Sequence, residues 1–168
     1  MRYLLDTHTL LWARAAPALL SEEARGVFES NDTTLYVSMA TLWECTIKRS
    51  IGKLELPDDF YEIVADDYEI LGIDISHLAA YADLPMHRLD PFDRLLVAQA
   101  RLGDLTLLSR DPNIAKYDVS IMTACENPAN CGFRVGVPPT HRQAMSASNC
   151  RTKGQRAVPF NACGAQSR

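Results

Sequence analysis

The 168-residue chain has no run approaching the roughly 18 uninterrupted apolar residues of a membrane-spanning helix. No secretory leader is expected at its start. Asp6 interrupts the apolar stretch that opens at Tyr3, and a signal segment needs a longer apolar core before any acid. These two absences point to a cytoplasmic protein without a membrane partner. Cysteine is scarce for most of the length. Only Cys45 precedes residue 122, and Cys125, Cys131, Cys150 and Cys163 follow it with gaps of 5, 18 and 12 residues. Those gaps match none of the common structural-zinc spacings, and a cytoplasmic disulfide framework is rarer still. No internal repeat is present, so a solenoid is not expected.

What is present divides in two. Residues 1–122 hold 11 of the 17 Lys and Arg and 20 of the 21 Asp and Glu, a balance of −9. Residues 123–168 hold 6 basic residues and 1 acid, a balance of +5. The second segment is rich in Asn, Ala, Ser, Gly and Pro and poor in large apolar residues. Such a segment buries too little surface to offset its ordering entropy. A domain over 1–122 and a disordered, basic, cysteine-containing tail over 123–168 are therefore expected.

Within 1–122 short apolar runs alternate with helical patterns. The runs at 2–6, 35–38, 70–75, 105–109 and 119–122 have the length of buried strands. Helical spacing recurs at 9–15, 21–30, 39–50, 58–68, 77–83 and 91–102. Alternation of this kind predicts an α/β fold with a mainly parallel sheet and helices on both faces. In such a sheet ligands bind beyond the carboxyl ends of the strands.

Acids occupy that edge. Asp6 closes the first run, and Ser109-Arg110-Asp111 closes the fourth. Glu44 lies on the helix capped by Ser38, beside a stripe of Met39, Leu42, Trp43 and Ile47 that reads as buried. Asp93 lies in the first turn of a helix that is apolar nearly all round. Each acid also has an ordinary structural use. Asp6 can cap a helix, and Glu44 can pair with Lys48 four residues on. Asp90 before Pro91 suits an N-cap, Asp93 suits the helix dipole, and Asp111 can cap the turn after it. Several carboxylates in one pocket, however, repel one another and resist ionising together. A hard divalent cation, Mg²⁺ or Mn²⁺, reverses that cost. Such ions lower the pKa of water and stabilise charge on a phosphate during in-line displacement.

The order and spacing of these residues resemble the PIN-domain family, and within it the VapC-type toxins of bacterial toxin–antitoxin pairs. The stretches that carry the resemblance are Tyr3-Leu-Leu-Asp6-Thr-His-Thr-Leu-Leu-Trp12, Leu42-Trp43-Glu44 and Ile51-Gly-Lys-Leu54. They continue with His87-Arg-Leu-Asp90-Pro-Phe-Asp93-Arg-Leu-Leu-Val-Ala-Gln-Ala100 and Ser109-Arg-Asp111. The resemblance covers 1–122 and leaves the tail unassigned. It implies a PIN-like three-layer sandwich with a five-stranded parallel sheet in the order 3-2-1-4-5, flanked by helices. It implies a metal-dependent ribonuclease that cleaves RNA by water attack on a phosphodiester, leaving 5′-phosphate and 3′-hydroxyl ends.

Carried over by position, Asp6, Glu44, Asp93 and Asp111 are the catalytic and metal-holding acids, with Asp90 as a secondary candidate. Thr7 and Ser109 are auxiliary hydroxyls. Lys48, Arg49, Lys53, Arg94 and Arg110 are candidate RNA contacts, with Arg14 and Arg88 as further rim cations. The implied partners are RNA, a cognate antitoxin protein and a second copy in a homodimer. Leu10, Leu11 and Trp12 fit either a docking groove or ordinary core, whereas Trp43, Phe92 and Cys45 read as core. His8, His77, His87 and His141 are not spaced as a metal site.

Other readings need features the chain lacks. A phosphatase with an aspartate nucleophile would carry Asp-x-Asp after the first strand, and here the second position is His8. A phosphoacceptor receiver domain would show an early acid pair and a late Lys after a strand. The remaining alternative is a catalytically silent PIN-like binding module whose acids act as caps. Presence of all four acids weighs against it.

Overall fold

The computed structural model describes residues 1–87 and 90–125. Arg88 and everything from residue 126 on, including the expected disorder of the tail and any zinc site at its cysteines, lie outside the described residues.

Five short strands form one parallel sheet: β1 (Arg2–Leu5), β2 (Thr34–Ser38), β3 (Glu69–Leu71), β4 (Thr106–Ser109) and β5 (Ile121–Thr123). Their order is β3-β2-β1-β4-β5, as the resemblance implies. The centre strand fixes the register, with Leu4 opposite Tyr36 on one side and Leu107 on the other. Among the described residues six α-helices connect the strands: α1 (Thr7–Ala15), α2 (Glu22–Glu29), α3 (Met39–Ser50), α4 (Phe60–Asp67), α5 (Ile75–Asp83) and α6 (Pro91–Gly103). Short 3-10 turns lie at Pro17–Leu19 and Ile114–Lys116.

Alternate residues of a strand face opposite sides of a sheet, and β1 shows the consequence. Tyr3 and Leu5 join a core with Leu10, Leu11, Trp12, Val37, Phe60 and Val64. Leu4 joins the opposite core with Leu96, Val97, Leu107, Ile114 and Tyr117. Helices α1 to α4 thus contribute to one face and α5 and α6 to the other. Burial on both faces is why these strands read as continuous apolar runs rather than alternating ones.

Three expectations need correction. The third strand stops at Leu71 rather than at residue 75, because Asp74 caps α5. Its carboxylate accepts the His77 N–H, and the His77 ring accepts the Asp74 N–H in return. Packing also continues past residue 122. Ala124 is fully buried; its N–H donates to the Ser109 carbonyl and its carbonyl accepts from the Ser21 N–H. Finally, only Leu42 of the apolar stripe of α3 packs against the core. Ala40, Thr41 and Cys45 turn inward, while Met39, Trp43 and Ile47 are exposed, Trp43 by 57%. Small inward residues let the helix sit close to the sheet, which leaves the large ones outside.

Arg94 corrects a further expectation. It was a candidate RNA contact, yet it is only 3% exposed. Its guanidinium donates to the carbonyls of Tyr81, Leu84 and Pro85 at 2.9–3.1 Å and lies over the Tyr81 ring. It therefore closes the C-terminal end of α5 and anchors the segment leading to α6. Arg94→Met would leave those carbonyls without their donor. We expect a loss of about 3–5 kcal/mol in urea unfolding, and a loss below about 1 kcal/mol would contradict the anchoring role.

Candidate active-site cleft

The carboxyl edge of the sheet gathers the acids. Asp6 follows the last residue of β1 in extended conformation and caps α1, its carboxylate accepting the His8 N–H at 3.1 Å. Its other oxygen accepts the Ser109 hydroxyl at 2.6 Å. Ser109 ends β4, next to β1, so parallel pairing alone delivers that contact. Burial acts to raise the Asp6 pKa. The hydrogen bond and charge of the His8 ring, the Ser109 hydroxyl and the His8 N–H outweigh it, and the net shift is downward. Asp6 is thus a buried carboxylate held ionised. The ring Nδ1 of His8 lies 3.7 Å from it.

Ser109 also accepts the Asp111 N–H at 3.1 Å. Asp111 turns the chain by accepting from the backbone and side-chain N–H groups of Asn113. Asp90 caps α6 by accepting from the N–H groups of Phe92 and Asp93 at 2.9 and 3.4 Å. Glu44 receives the Thr7 hydroxyl on one oxygen and the Lys48 ammonium on the other, the latter at 2.6 Å. Thus the helix pair between Glu44 and Lys48 exists, and Glu44 still reaches the site.

Asp6, Glu44, Asp90, Asp93 and Asp111 line one cleft of about 600 Å³, with Ser109 on its wall. Thr7 stands behind Glu44. Of the cationic candidates, Lys48 and Arg110 line the cleft, and the Arg110 guanidinium lies 5.3 Å from the Trp12 ring centroid. Arg49 pairs with Asp58 at 2.6 Å, Arg14 pairs with Asp67, and Lys53 is exposed away from the cleft lining. Three lining residues escaped the sequence reading. His8 was dismissed as a metal ligand, although its place two residues after Asp6 puts it at the same edge. Thr123 and Cys125 fall in the expected tail, but the last strand runs to Thr123 and the chain just after it keeps Cys125 at the cleft.

The donor set is of hard oxygen, the kind suited to Mg²⁺ or Mn²⁺. In their present rotamers the side chains are engaged with one another and with backbone N–H groups. Among the described residues no three His, Cys, Asp or Glu come together as a ligand group. The residues fit a divalent cation in chemical kind and in shared location.

The PIN domain family model matches residues 3–120, and the chain belongs to the PIN domain family. No curated protein matches it. Among solved structures it is similar to VapBC2 from Rickettsia felis bound to a promoter DNA fragment, at 16% identity and a TM-score of 0.58, covering 73% of this chain and 98% of that one. A DNA-bound VapBC from Salmonella typhimurium gives 17% identity and 0.57, covering 73% and 97%. A toxin–antitoxin complex from Klebsiella pneumoniae gives 18% and 0.53, covering 72% and 96%. At these identities the likeness is one of fold.

Cys45, next to Glu44 in sequence, is free and fully buried. Burial first, and then the Glu44 and Asp6 charges, push its thiol pKa up to about 12, against a smaller opposing effect of Lys48. A thiolate is the reactive form. Iodoacetamide should therefore leave Cys45 unmodified in the native protein and label it in urea, as read by peptide mass mapping. Labelling at equal rates in both states would contradict this burial.

Proposed function

We propose that the chain is a VapC-type toxin and acts as a Mg²⁺- or Mn²⁺-dependent ribonuclease. The observation that carries the reading is convergence. Asp6, Glu44, Asp93 and Asp111 come from four separate segments and line one cleft beyond the carboxyl ends of a parallel sheet. Capping brings Asp6 and Asp90 to this edge, but Glu44 lies inside α3 and caps nothing, so its place in the same cleft has no capping explanation.

Those four acids would hold the ion, with Asp90 at the margin. A bound divalent cation supplies positive charge to the scissile phosphate and acidity to a water molecule. The protein's own groups prepare the site. Ser109 and His8 keep Asp6 ionised and oriented. Thr7 holds one oxygen of Glu44. Lys48 and Arg110 line the cleft where a phosphodiester would lie, and each offers a cation to its oxygens. Water adds to phosphorus, the bond to the 3′ oxygen breaks, and that oxygen takes a proton. The products are 5′-phosphate and 3′-hydroxyl ends.

We infer an antitoxin partner from the toxin–antitoxin neighbours, and a homodimer from the resemblance. Leu10, Leu11 and Trp12 supply neither surface, because all three are buried. The exposed face of α3, with Met39, Trp43 and Ile47 followed by Ile51, offers apolar surface instead. Among the described residues no helix is long and apolar enough to cross a membrane. A cytoplasmic setting, where RNA is met, accords with this reading.

The test is RNA cleavage by the purified chain with Mg²⁺ or Mn²⁺ and with EDTA, alongside Asp6→Asn and Asp93→Asn. Each variant should lose about a thousandfold in kcat, about 4 kcal/mol of barrier, while its circular dichroism stays native. A shortened chain should end after Cys125, since ending at Met122 would remove the buried Ala124. It should cut like the full chain. Undiminished cutting by the folded Asp6→Asn, Asp93→Asn double variant would sink the assignment. Absence of both cutting and Mn²⁺ binding by the folded wild type would favour the silent binding module.

A further inference from the structure

Helix α6 is apolar on its buried side except at Arg94 and Gln99, and Gln99 is completely buried beside Leu95, Leu96, Val97, Ala98 and Ala100. A buried side-chain amide is costly unless both its ends are bonded. Here both are. Gln99 Oε1 accepts the Ser38 hydroxyl at 2.6 Å, and Nε2 donates to the Gly72 carbonyl at 2.9 Å. Ser38 in turn accepts the Ala40 N–H at 3.0 Å as the cap of α3. One amide therefore joins the start of α3, the middle of α6 and the chain leaving β3.

The two helices so joined carry the acids. Glu44 lies six residues along α3 from Ser38, and Asp93 lies six residues along α6 from Gln99. At 1.5 Å per residue each acid stands about 9 Å from the tie. Near the acids the same helices meet again. Trp43 and Phe92, the neighbours of Glu44 and Asp93, make an edge-to-face contact with ring centroids 5.6 Å apart. Apolar packing alone lets helices slide or tilt, because it is non-directional. Two hydrogen bonds at one point do not. A tilt of about 10° at the tie would move an acid by roughly 1.5 Å over that arm, and a misplacement of about 1 Å can cost about a hundredfold in rate.

We propose that Gln99 is a positioning residue whose bonds to Ser38 and Gly72 set the spacing between the helices that bear Glu44 and Asp93. Its catalytic consequence rests on the metal-nuclease reading above, whereas its geometric content does not. Gln99→Leu removes both bonds at similar volume. Ser38→Ala removes one from the other side, together with the cap bond to the Ala40 N–H, and covers the case in which Gln99→Leu fails to fold. Val64→Ala, a cavity in the opposite core, serves as a variant of comparable instability with the tie intact.

Three readouts separate positioning from loss of stability. Mn²⁺ affinity measured by calorimetry should weaken roughly fivefold or more in Gln99→Leu and Ser38→Ala, and stay near wild type in Val64→Ala. For RNA cleavage kcat should fall roughly tenfold or more with KM little changed, since the loss is in alignment rather than in substrate binding. Iodide quenching reports the tie without metal or RNA. It reaches Trp43, which is 57% exposed, but not Trp12, which is 1% exposed. The quenching constant should rise in Gln99→Leu and Ser38→Ala as Trp43 parts from Phe92, and not in Val64→Ala. Variants at Gln99 and Ser38 that match Val64→Ala in all three readouts would overturn the proposal. If the wild type binds no Mn²⁺ and cuts no RNA, the nuclease reading falls, and quenching alone decides. A raised constant then upholds the tie, and an unchanged one overturns it.

Discussion

The central position of β1 governs the cleft. It pairs in parallel with both β2 and β4, so three strands leave the sheet side by side and in the same direction. Asp6 after β1, Ser38 at the end of β2 and Ser109 at the end of β4 then become neighbours without any long connection. The Ser109–Asp6 bond is the direct product of that register. An antiparallel neighbour would have placed a strand entry there, and the acid of β4 would have emerged at the far edge. Both faces of the sheet are covered by helices, so this edge is where polar side chains can collect without opening the core.

Helices that start at the same edge make capping and clustering one geometric fact. A helix that begins at the carboxyl edge places its cap there, whether it follows a strand, as α1 follows β1, or leads into one, as α6 leads into β4. Asp6 and Asp90 are caps and line the cleft at once. Asp93 occupies the first turn for the same reason. The favourable term between a carboxylate and a helix N-terminus, about 0.3–1 kcal/mol at exposed sites, lowers part of the repulsion among the acids. Lys48 and His8 lower more of it, one bonded to Glu44 and the other beside Asp6. The cleft therefore tolerates five carboxylates because backbone N–H groups, Lys48 and His8 face them.

Much of this was readable from the sequence, for a physical reason. Strands buried on both faces read as apolar runs, and the acids that end them stand out at 6 and 111. The strand order followed from the resemblance and holds in the structure; the acids named with it line one cleft. What failed was orientation. Periodicity shows that Met39, Trp43 and Ile47 share a side of α3, but not which way that side points. Their apolar character argued for the core, while the small residues Ala40, Thr41 and Cys45 in fact face it. Arg94 failed similarly, since a cation beside Asp93 looks like rim unless the carbonyls it satisfies are known. The packing of Ala124 and Cys125 was not readable because both are small and unpatterned, and Ala124 is held by Ser21 and Ser109.

Buried polar groups show where stability was not the organising demand. Asp6, Thr7, Ser38, Gln99 and Ser109 are all buried, and all lie at the strand exits or join the helices that leave them. Apolar residues of similar volume often serve stability as well or better in such positions. A sheet of this kind needs no carboxylate behind β1 and no amide inside α6 in order to fold. Directional bonds do what apolar packing cannot: they fix distances between elements. Arg94, Ser21 and His77 make such bonds elsewhere, while at this edge Asp6–Ser109, Thr7–Glu44 and Ser38–Gln99 tie strand ends and helices to one another. The carboxylates and the framework that spaces them are, on this argument, two layers of one site.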